Sequence, residues 1–355
     1  MKIVLTGGGT AGHVLPNLAL VDSLCEAGFE ISYIGGKGGM EAGLVQEVGL
    51  DYHAISAGKL RRYLSLKNIA DAFRVVKGIG NARKVLKRIK PDIVFSKGGF
   101  VTVPVVFAAK MAKIPVIIHE SDFTIGLANK LAMPHATKVC YVFPEAIAQI
   151  PKGKGVHTGT PIRQEIFNGN VKIAADLCGF KIQKPVIMII GGSLGSVAIN
   201  SIVRQALPDL LGKFNVIHIC GKDNVDKSLT NDGYKQFEYI SNGIGDLFAL
   251  ADLVVSRAGS NAIAEIAALH KPNILIPLPK AVSRGDQILN AKSYEKQGFS
   301  VVLDEENLDP QKLIDTIKET FVNRQKFIEK MAKSQTTKNG TAQIIEIIKS
   351  VCGML

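Results

Sequence analysis

Two segments of the chain open in the same way, and this repetition constrains the fold more than any other feature. The sequence KIVLTGGGTAGH begins at Lys2, and PVIMIIGGSLGS begins at Pro185. Each contains a short apolar strand, a glycine-rich turn and the start of a helix. Parallel strands covered by helices on both faces have this continuous apolar character. The repeat therefore predicts two α/β halves, each built on its own parallel sheet.

Similar apolar runs recur in both halves and alternate with helical patterns. The predicted strands of the first half are Ile3–Thr6, Ile31–Gly35, Ile93–Ser96, Val116–His119 and Val139–Val142. Those of the second half are Val186–Ile190, Val216–Cys220, Phe237–Ile240, Leu253–Ser256, Ile274–Pro277 and Val301–Leu303. Helical patterns include Leu15–Ala27, Asn261–Leu269 and most of Pro310–Leu355. The alternation loosens over residues 163–184, which predicts the junction between the halves there.

Length and composition exclude several classes of protein. The chain has 355 residues, of which 46% are hydrophobic and 21% are charged, a balance typical of globular domains. Its five cysteines form no CxxC pair, which favours reduced thiols in the cytosol over a disulfide or zinc framework. The sequence begins directly with a predicted strand and has no apolar run of about 18 residues. We therefore expect neither a signal peptide nor a transmembrane helix.

The positive charge of the chain is local. The net charge is +12, and residues 59–90 contain eleven basic residues against the single acid Asp71. Apolar residues at near-helical spacing in the same stretch predict a basic amphipathic helix that is loosened at Gly78 and Gly80. The helix is either a solvated surface helix docked on a sheet or a contact with an anionic bilayer; RNA binding is a weaker third interpretation, because no RNA-binding motif is present. The candidate membrane patch consists of Arg61, Arg62, Phe73, Arg83 and Lys84.

Three glycine-rich turns follow predicted strands: residues 7–12, 97–100 and 191–196. A glycine turn that leads into a helix lets main-chain N–H groups approach an anion, and the helix N-terminus adds partial positive charge. An NAD site is disfavoured, because the second predicted strand ends without the acid that would bind a ribose. Any one of these turns could be purely structural. Together they favour a phosphate-rich ligand in an interdomain cleft.

Other polar residues extend this prediction. Glu265 lies on the second turn of a predicted helix, where it either holds a ribose diol or complements the helix dipole. Gln287 suits sugar hydroxyls, although a solvated role is equally ordinary, and Arg163 could pair with a diphosphate. Neither a DxD motif nor a clustered set of metal ligands is present, so we expect a metal-free site that needs no cofactor.

Two histidines are candidates for chemistry. His13 is predicted to lie at the tip of the first glycine loop, where a general base and a structural residue are both reasonable roles. His119 ends a predicted strand together with Glu120, and both residues could simply orient loops at the sheet edge.

An ordered set of motifs resembles a known family. The segments are GGGTAGHVLP, SKGGFVTVP, HESDFTIGLANKLA, GTPIR, GGSLGS, SRAGSNAIAE and DQILNA. They are similar to the MurG family of bacterial cell-wall N-acetylglucosaminyltransferases along nearly the whole chain. The resemblance implies the GT-B fold, in which two Rossmann-like parallel-sheet domains face an interdomain cleft. It also implies inverting transfer of N-acetylglucosamine from UDP-N-acetylglucosamine to the 4-hydroxyl of the muramyl sugar of lipid I, which gives lipid II.

The resemblance also assigns roles to individual residues. It implies diphosphate contacts for Ser193 and Arg163, a ribose contact for Glu265 and a sugar contact for Gln287. It also implies a uracil contact for the main chain at Ile244, in the loop of residues 241–244. Thr10, Ala11 and Gly12 would lie at the sugar and acceptor end, and the glycines of the two N-terminal loops would line it: Gly8, Gly9, Gly98 and Gly99. His13 is the family position most consistent with deprotonating the acceptor. Asp122 stands where many members have an amide, which makes it a second candidate base.

The resemblance further implies an architecture and a location. Residues 1–163 would form the acceptor domain facing the membrane, residues 164–340 the nucleotide-sugar domain, and residues 341–355 a helix packing back on the first domain. The protein would bind peripherally to the cytoplasmic face of the cell membrane, with other cell-wall synthesis and division proteins as further partners and no nucleic acid. The alternatives are another UDP-sugar GT-B enzyme, such as a lipid glycosyltransferase or an epimerase, and a non-catalytic UDP-sugar sensor.

Overall fold

The computed structural model describes the chain except for residues 59–66, 182, 193–194, 241–242 and 284, and it describes residues 67–72 by their main chain only. The contacts divide the chain into two units. The first unit contains Met1–Arg163 and Asn339–Leu355, and the second contains Gln164–Lys338. Each unit is an α/β domain on a parallel sheet, which confirms the predicted fold class.

In the described part of the first unit, seven parallel strands form the sheet in the order β3-β2-β1-β4-β5-β6-β7. The strands are Lys2–Thr6 (β1), Glu30–Gly36 (β2), Asp51–Ile55 (β3), Ile93–Ser96 (β4), Val116–Glu120 (β5), Lys138–Tyr141 (β6) and Gly155–His157 (β7). The helices between them are Ala11–Leu18 (α1), Val21–Glu26 (α2), Glu41–Glu47 (α3), Lys67–Ile89 (α4), Thr102–Met111 (α5) and Leu127–Ala132 (α6).

The second unit repeats this arrangement. Six parallel strands of its described residues are ordered β10-β9-β8-β11-β12-β13. They are Val186–Ile190 (β8), Asn215–Ile219 (β9), Tyr234–Phe237 (β10), Leu253–Ser256 (β11), Asn273–Leu275 (β12) and Ser300–Val302 (β13). The helices are Val171–Cys178 (α7), Val197–Leu211 (α8), Ile244–Leu250 (α9), Ser260–Ala268 (α10), Asp286–Gln297 (α11), Pro310–Val322 (α12) and Arg324–Lys333 (α13). Short 3₁₀ helices cover Met133–His135, Pro144–Gln149, Gln164–Asn168 and Glu305–Asn307.

The C-terminal helix, Thr341–Val351 (α14), is part of the first unit. Its residues Ile344, Ile345 and Ile348 are buried in the same apolar cluster as Leu20 and Leu24. The chain therefore returns to the first unit after completing the second, and the last helix shares the core of the first sheet.

Two predicted elements differ from the structure, and two observed strands were not predicted. The predicted helix Leu15–Ala27 is two helices, α1 and α2, because the chain tightens where the N–H of Leu20 donates to the carbonyl of Asn17 at 3.1 Å. The predicted strand Phe237–Ile240 is wrong in register, since β10 covers Tyr234–Phe237. The edge strands β3 and β7 were not predicted; their side chains are largely half-exposed and lack a continuous apolar run.

Both sheets have the same topological switch point. The chain builds β1, β2 and β3 in one direction and then returns to the other side of β1 to form β4. The second unit does the same with β8 and β11. Loops that follow two neighbouring strands therefore leave in opposite directions and open a crevice at their carboxyl ends, which is where ligands bind in such sheets. No helix among the described residues has the length and apolar character needed to cross a membrane.

Candidate functional site

Two glycine turns meet at the switch point of the first sheet. Residues 7–10 follow β1 and residues 97–100 follow β4, as predicted. The N–H of Gly8 donates to the carbonyl of Gly98 at 3.4 Å. Gly99 has φ +90°, and a Cβ added to it would overlap the carbonyl oxygen of Gly8. The two turns touch main chain to main chain, so glycine is required at position 99.

His13 lies beside both turns. It is the third residue of α1, so the prediction that it stands at the tip of a loop is wrong. Its N–H donates to the carbonyl of Thr10 at 3.1 Å, within the first turn of the helix. A Cβ added to Gly98 would lie 3.5 Å from Cε1 of the His13 ring. The imidazole is half-buried and reaches across the switch point to the second turn.

Residues that the sequence analysis did not single out hold the first turn in place. The buried carboxylate of Glu41 accepts from the N–H of Gly36 at 2.7 Å and from the N–H of Gly9 at 3.3 Å. The hydroxyl of Tyr33 donates to the carbonyl of Gly7 at 2.9 Å. These hydrogen bonds fix the main chain of the first turn, and with it the directions of its N–H groups. Only the position of Glu41 after the glycine-rich stretch GGKGG could have suggested this role.

The loop after β5 forms a third polar group at the same sheet edge. Glu120 is buried and accepts from the N–H of Asp122 at 3.1 Å, from the N–H of Gly126 at 2.9 Å and from Nδ2 of Asn129 at 3.0 Å. Burial, reinforced by the charge of Asp122, raises the pKa of Glu120. Nε2 of His119 donates to the carbonyl of Gly159 at 2.8 Å, and burial holds the pKa of His119 well below its ordinary value. The side chains of His119 and Glu120 therefore hold the main chain of neighbouring loops, and Asp122 follows them at the carboxyl edge of the sheet.

A buried cation, Lys97, stands between the second glycine turn and the β5 loop. It is only 2% exposed, and its Nζ donates to Oγ of Ser121. Burial lowers the pKa of the Lys97 ammonium to about 8, against the opposing effect of Glu120 and Asp122. In the sequence, Lys97 is recognisable only as the first residue of a glycine turn. Its burial depends on contacts with residues more than twenty positions away, such as Ser121.

The switch point of the second sheet has a comparable glycine turn. It follows β8 as predicted and leads into α8. Gly195 has φ +75°, and an added Cβ would overlap the carbonyl oxygen of Cys220. Ser196 caps α8 by accepting from the N–H of Ile199 at 3.3 Å. Ser193 lies outside the described residues.

Arg257, which follows β11, places a buried positive charge next to this turn. One Nη donates to Oγ of Ser196 at 2.7 Å, and the other donates to the carbonyl of Ile276 at 3.1 Å and forms an ion pair with Glu305. A fixed cation and a helix N-terminus together make an environment suited to an anion. Arg257 is part of the motif SRAGSNAIAE, but the motif alone indicates no role for it. The role depends on the ion pair with Glu305, which is 48 positions away in the sequence.

The remaining predicted donor residues occupy helix starts. Glu265 is on the second turn of α10 and half-buried, as expected. Oε1 of Gln287 accepts from the N–H of Leu278 at 3.1 Å, which fixes the side chain in the first turn of α11. Ile244 is the first residue of α9 and follows Gly243, which has φ +82°. Arg163 is assigned to the first unit, whereas these residues belong to the second.

The described part of α4 shows how the predicted basic helix packs. It continues unbroken through Gly78, where an added Cβ would overlap the carbonyl oxygen of Ser56, so glycine there allows close packing rather than loosening. Ala82 and Leu86 face the core, whereas Phe73 is 73% and Val76 is 67% exposed. Phe73 and Val76 therefore do not pack on the sheet, and Phe73, a residue of the candidate membrane patch, is exposed. Arg61 and Arg62 lie outside the described residues.

The exposed face of α4 combines apolar and basic side chains. Phe73, Lys77, Lys84 and Lys87 are spaced so that they share one face of the helix, and all four are exposed. Arg83 is exposed at the margin of this face, beside the line of Val76. The outward face thus places an unburied aromatic side chain in line with several cations.

Comparison with known proteins identifies the class. Two Rossmann-like parallel-sheet units in one chain make up the GT-B fold of glycosyltransferases. Residues 3–141 match the glycosyltransferase family 28 N-terminal domain, and residues 186–347 match the family's C-terminal domain. The chain belongs to glycosyltransferase family 28.

Individual relatives match almost end to end. The chain is 57% identical over 349 residues to the UDP-N-acetylglucosamine–N-acetylmuramyl-(pentapeptide) pyrophosphoryl-undecaprenol N-acetylglucosamine transferase of Clostridium botulinum (strain Hall), covering 98% of both chains. It is 54% identical to the protein of the same name from Lachnospira eligens, again covering 98% of both. The crystal structure of Acinetobacter baumannii MurG superposes with a TM-score of 0.75 at 26% identity, covering 98% of this chain and 99% of that one.

Proposed function

We propose that this chain transfers N-acetylglucosamine from UDP-N-acetylglucosamine to the C4 hydroxyl of N-acetylmuramic acid in undecaprenyl-pyrophosphoryl-MurNAc-pentapeptide, lipid I. The product is lipid II, the disaccharide precursor of peptidoglycan. The observation that carries this proposal is the similarity to transferases of this name over the full length of both domains. A match to the nucleotide-sugar half alone would leave the acceptor undefined, but residues 3–141 also match the family's N-terminal domain.

The donor half of the proposal rests on the second unit. The α8 N-terminus, with Ser196 and Arg257, offers main-chain N–H groups and a buried cation to the donor diphosphate. In the proposed complex, Ser193 and Arg163 contact the diphosphate, Glu265 the ribose and Gln287 the sugar. The uracil rests against the main chain at Ile244. The negative charge that builds on departing UDP is neutralised by these groups, so the proposed reaction uses no metal or cofactor. Within the described residues, no set of three His, Cys, Asp or Glu side chains is placed to hold a metal ion.

The acceptor half rests on the first unit. The loops after β1, β4 and β5 leave neighbouring strands at one edge, where they bring together His13, Lys97 and Asp122. A base removes the proton of the acceptor hydroxyl while UDP leaves from the opposite face of the anomeric carbon, so the configuration inverts. His13 and Asp122 are the two candidate bases. Thr10, Ala11, Gly12 and the turn glycines shape the surface on which the reacting sugars lie.

The kinetic test of this proposal is acceptor-dependent release of UDP. With UDP-N-acetylglucosamine and a soluble lipid I analogue, we expect UDP to accumulate only when both substrates are present. UDP-glucose in place of UDP-N-acetylglucosamine is the specificity control and should give a much lower kcat/KM. Donor binding without any acceptor-dependent turnover would instead support a UDP-sugar sensor. Turnover of UDP-N-acetylglucosamine without acceptor would support an epimerase or a hydrolase.

The location is part of the proposal. The protein binds peripherally to the cytoplasmic membrane face through the exposed side of α4, where Phe73 lies in line with Lys77, Lys84 and Lys87. An apolar side chain inserts into the headgroup boundary, and the cations attract anionic lipid. Since the acceptor carries an undecaprenyl chain, attachment of this domain would keep the site close to its substrate.

Neutralising part of this face should weaken binding to vesicles. Each Lys or Arg near an anionic surface contributes about 1 kcal/mol, so the double variant Arg83→Gln, Lys84→Gln should bind vesicles rich in phosphatidylglycerol about 30-fold more weakly. The matched control is Lys326→Gln, Lys333→Gln on exposed positions of α13, which should bind as wild type does. Co-sedimentation with vesicles measures both. Binding that ignores salt, lipid charge and the α4 substitutions would contradict the proposed attachment.

A further inference from the structure

Lys97 is a deeply buried charged side chain at the acceptor end to which the proposed mechanism gives no role. It follows β4 directly and precedes Gly98, the residue across which the ring of His13 lies. Its Nζ donates to Oγ of Ser121, which precedes Asp122. One side chain therefore connects the turn that supports His13 with the loop that carries Asp122.

The charges that face Lys97 come mainly from the end of β5. Glu120 and Asp122 both interact with its ammonium, and His119 experiences its positive charge. His13 approaches from α1 across Gly98. A buried ammonium is costly unless anions balance it, and buried carboxylates have the same requirement. Glu120 and Asp122 thus favour the charged form of Lys97, against the effect of its burial.

We propose that Lys97 is a positioning residue for the transfer reaction, whose charged ammonium holds the β5 loop, and with it Asp122, against the second glycine turn. This inference rests on the proposed function and adds a charge requirement to the acceptor site. Loss of the side chain removes the hydrogen bond to Ser121 and leaves Glu120 and Asp122 without the positive charge that faces them, which loosens the loop. Lys97 need not touch either sugar for this role.

The proposal predicts a particular dependence on pH. Since burial lowers the pKa of Lys97 to about 8, the ammonium is charged below pH 8 and loses its proton above it. The rate of transfer should therefore fall above about pH 8. Arginine at this position stays charged throughout this range, so Lys97→Arg should keep its activity to higher pH than the wild type does.

The experiment compares pH–rate profiles of full-length wild type, Lys97→Met and Lys97→Arg, with acceptor-dependent UDP release as the readout. We expect Lys97→Met to lose roughly tenfold to a hundredfold in kcat at pH 7.5 with the affinity for UDP-N-acetylglucosamine unchanged, because the proposed ribose, sugar and uracil contacts of the donor lie in the second unit. The matched control Lys110→Met, at an exposed position of α5, should keep the wild-type profile.

Two kinetic results would overturn the inference. One is a Lys97→Met variant with a rate within twofold of wild type and an unchanged pH profile. The other is a folded Lys97→Arg variant whose rate falls at the same alkaline pH as that of wild type.

A second readout, thermal stability, does not depend on activity. The pKa of Lys97 is lower in the folded protein than in the unfolded chain, so between pH 8 and 10.5 the unfolded chain binds more protons and stability rises with pH. The Tm of wild type should rise across this window relative to that of Lys97→Met; parallel Tm curves would contradict a buried, titrating Lys97. Failure of wild-type turnover would refute the proposed function alone, since the Tm comparison still tests Lys97.

Discussion

The His13→Ala variant is expected to lose roughly 10²- to 10⁴-fold in the rate of N-acetylglucosamine transfer, which is the usual contribution of a general base. The half-buried ring of His13 starts in the first turn of α1 and reaches Gly98 of the neighbouring turn. It therefore lies where the turns after β1 and β4 meet. Because the variant retains the donor residues of the second unit, donor affinity should stay close to that of wild type.

The Asp122→Asn variant decides between the two candidate bases. It keeps the size of the side chain and removes its charge, so we expect a smaller loss of about tenfold if His13 is the base. A larger loss in Asp122→Asn than in His13→Ala would reverse the assignment. Asp315→Asn, at an exposed position of α12, is the matched control and should be unaffected. Near-normal rates in both site variants with a lipid I analogue would exclude both residues as the base.

The Arg257→Met variant should show the largest loss of stability. The buried side chain of Arg257 forms an ion pair with Glu305, whose side chain is 16% exposed, and it also holds Ser196 at the start of α8. Removing one partner of a fully buried pair leaves the other charge uncompensated, which typically costs about 3–5 kcal/mol; because Glu305 is partly exposed, we expect a cost at the lower end, about 3 kcal/mol. For a unit of this size, that corresponds to a fall in Tm on the order of 10 °C. Thermal denaturation followed by circular dichroism measures it.

The double variant Arg257→Met, Glu305→Leu provides the control for this prediction. Replacing both charges with apolar groups removes the uncompensated carboxylate, so much of the lost stability should return. The affinity for the donor should be weakened in both the single and the double variant, since Ser196 loses its hydrogen bond with Arg257 in each. A single Arg257→Met variant as stable as Arg324→Met, a substitution at an exposed position of α13, would show that the pair is not structurally important.

The sequence predicts the sheets well because buried parallel strands are nearly uniform in apolar character. The strands β1 and β8 and the glycine turns that follow them lie where the repeated openings place them. The edge strand β10 shows where such prediction ends. The apolar residues of the predicted strand Phe237–Ile240 suggested burial, but Tyr239 is 62% exposed and the strand begins at Tyr234. At a sheet edge, pairing with one neighbour determines the register, and composition says little about it.

The candidate site is predictable only where a motif is local. Glycine turns, Glu265 and Gln287 can be placed from a few neighbouring residues. Three buried charged residues depend on partners that are distant in the sequence. Lys97 contacts Ser121, Glu41 contacts Gly9, and Arg257 contacts Glu305. Each of these charges would be unstable in the interior without its partner. Their importance therefore becomes visible only once the fold has placed those partners.

The mass of the lipid product tests the central claim most directly. Purified protein incubated with UDP-N-acetylglucosamine and lipid I in vesicles should convert the acceptor to a species heavier by one N-acetylhexosamine residue, joined by a β-linkage to the 4-hydroxyl of the muramyl sugar. Hydrolysed donor with unmodified lipid I, or a sugar attached at another position, would contradict the account.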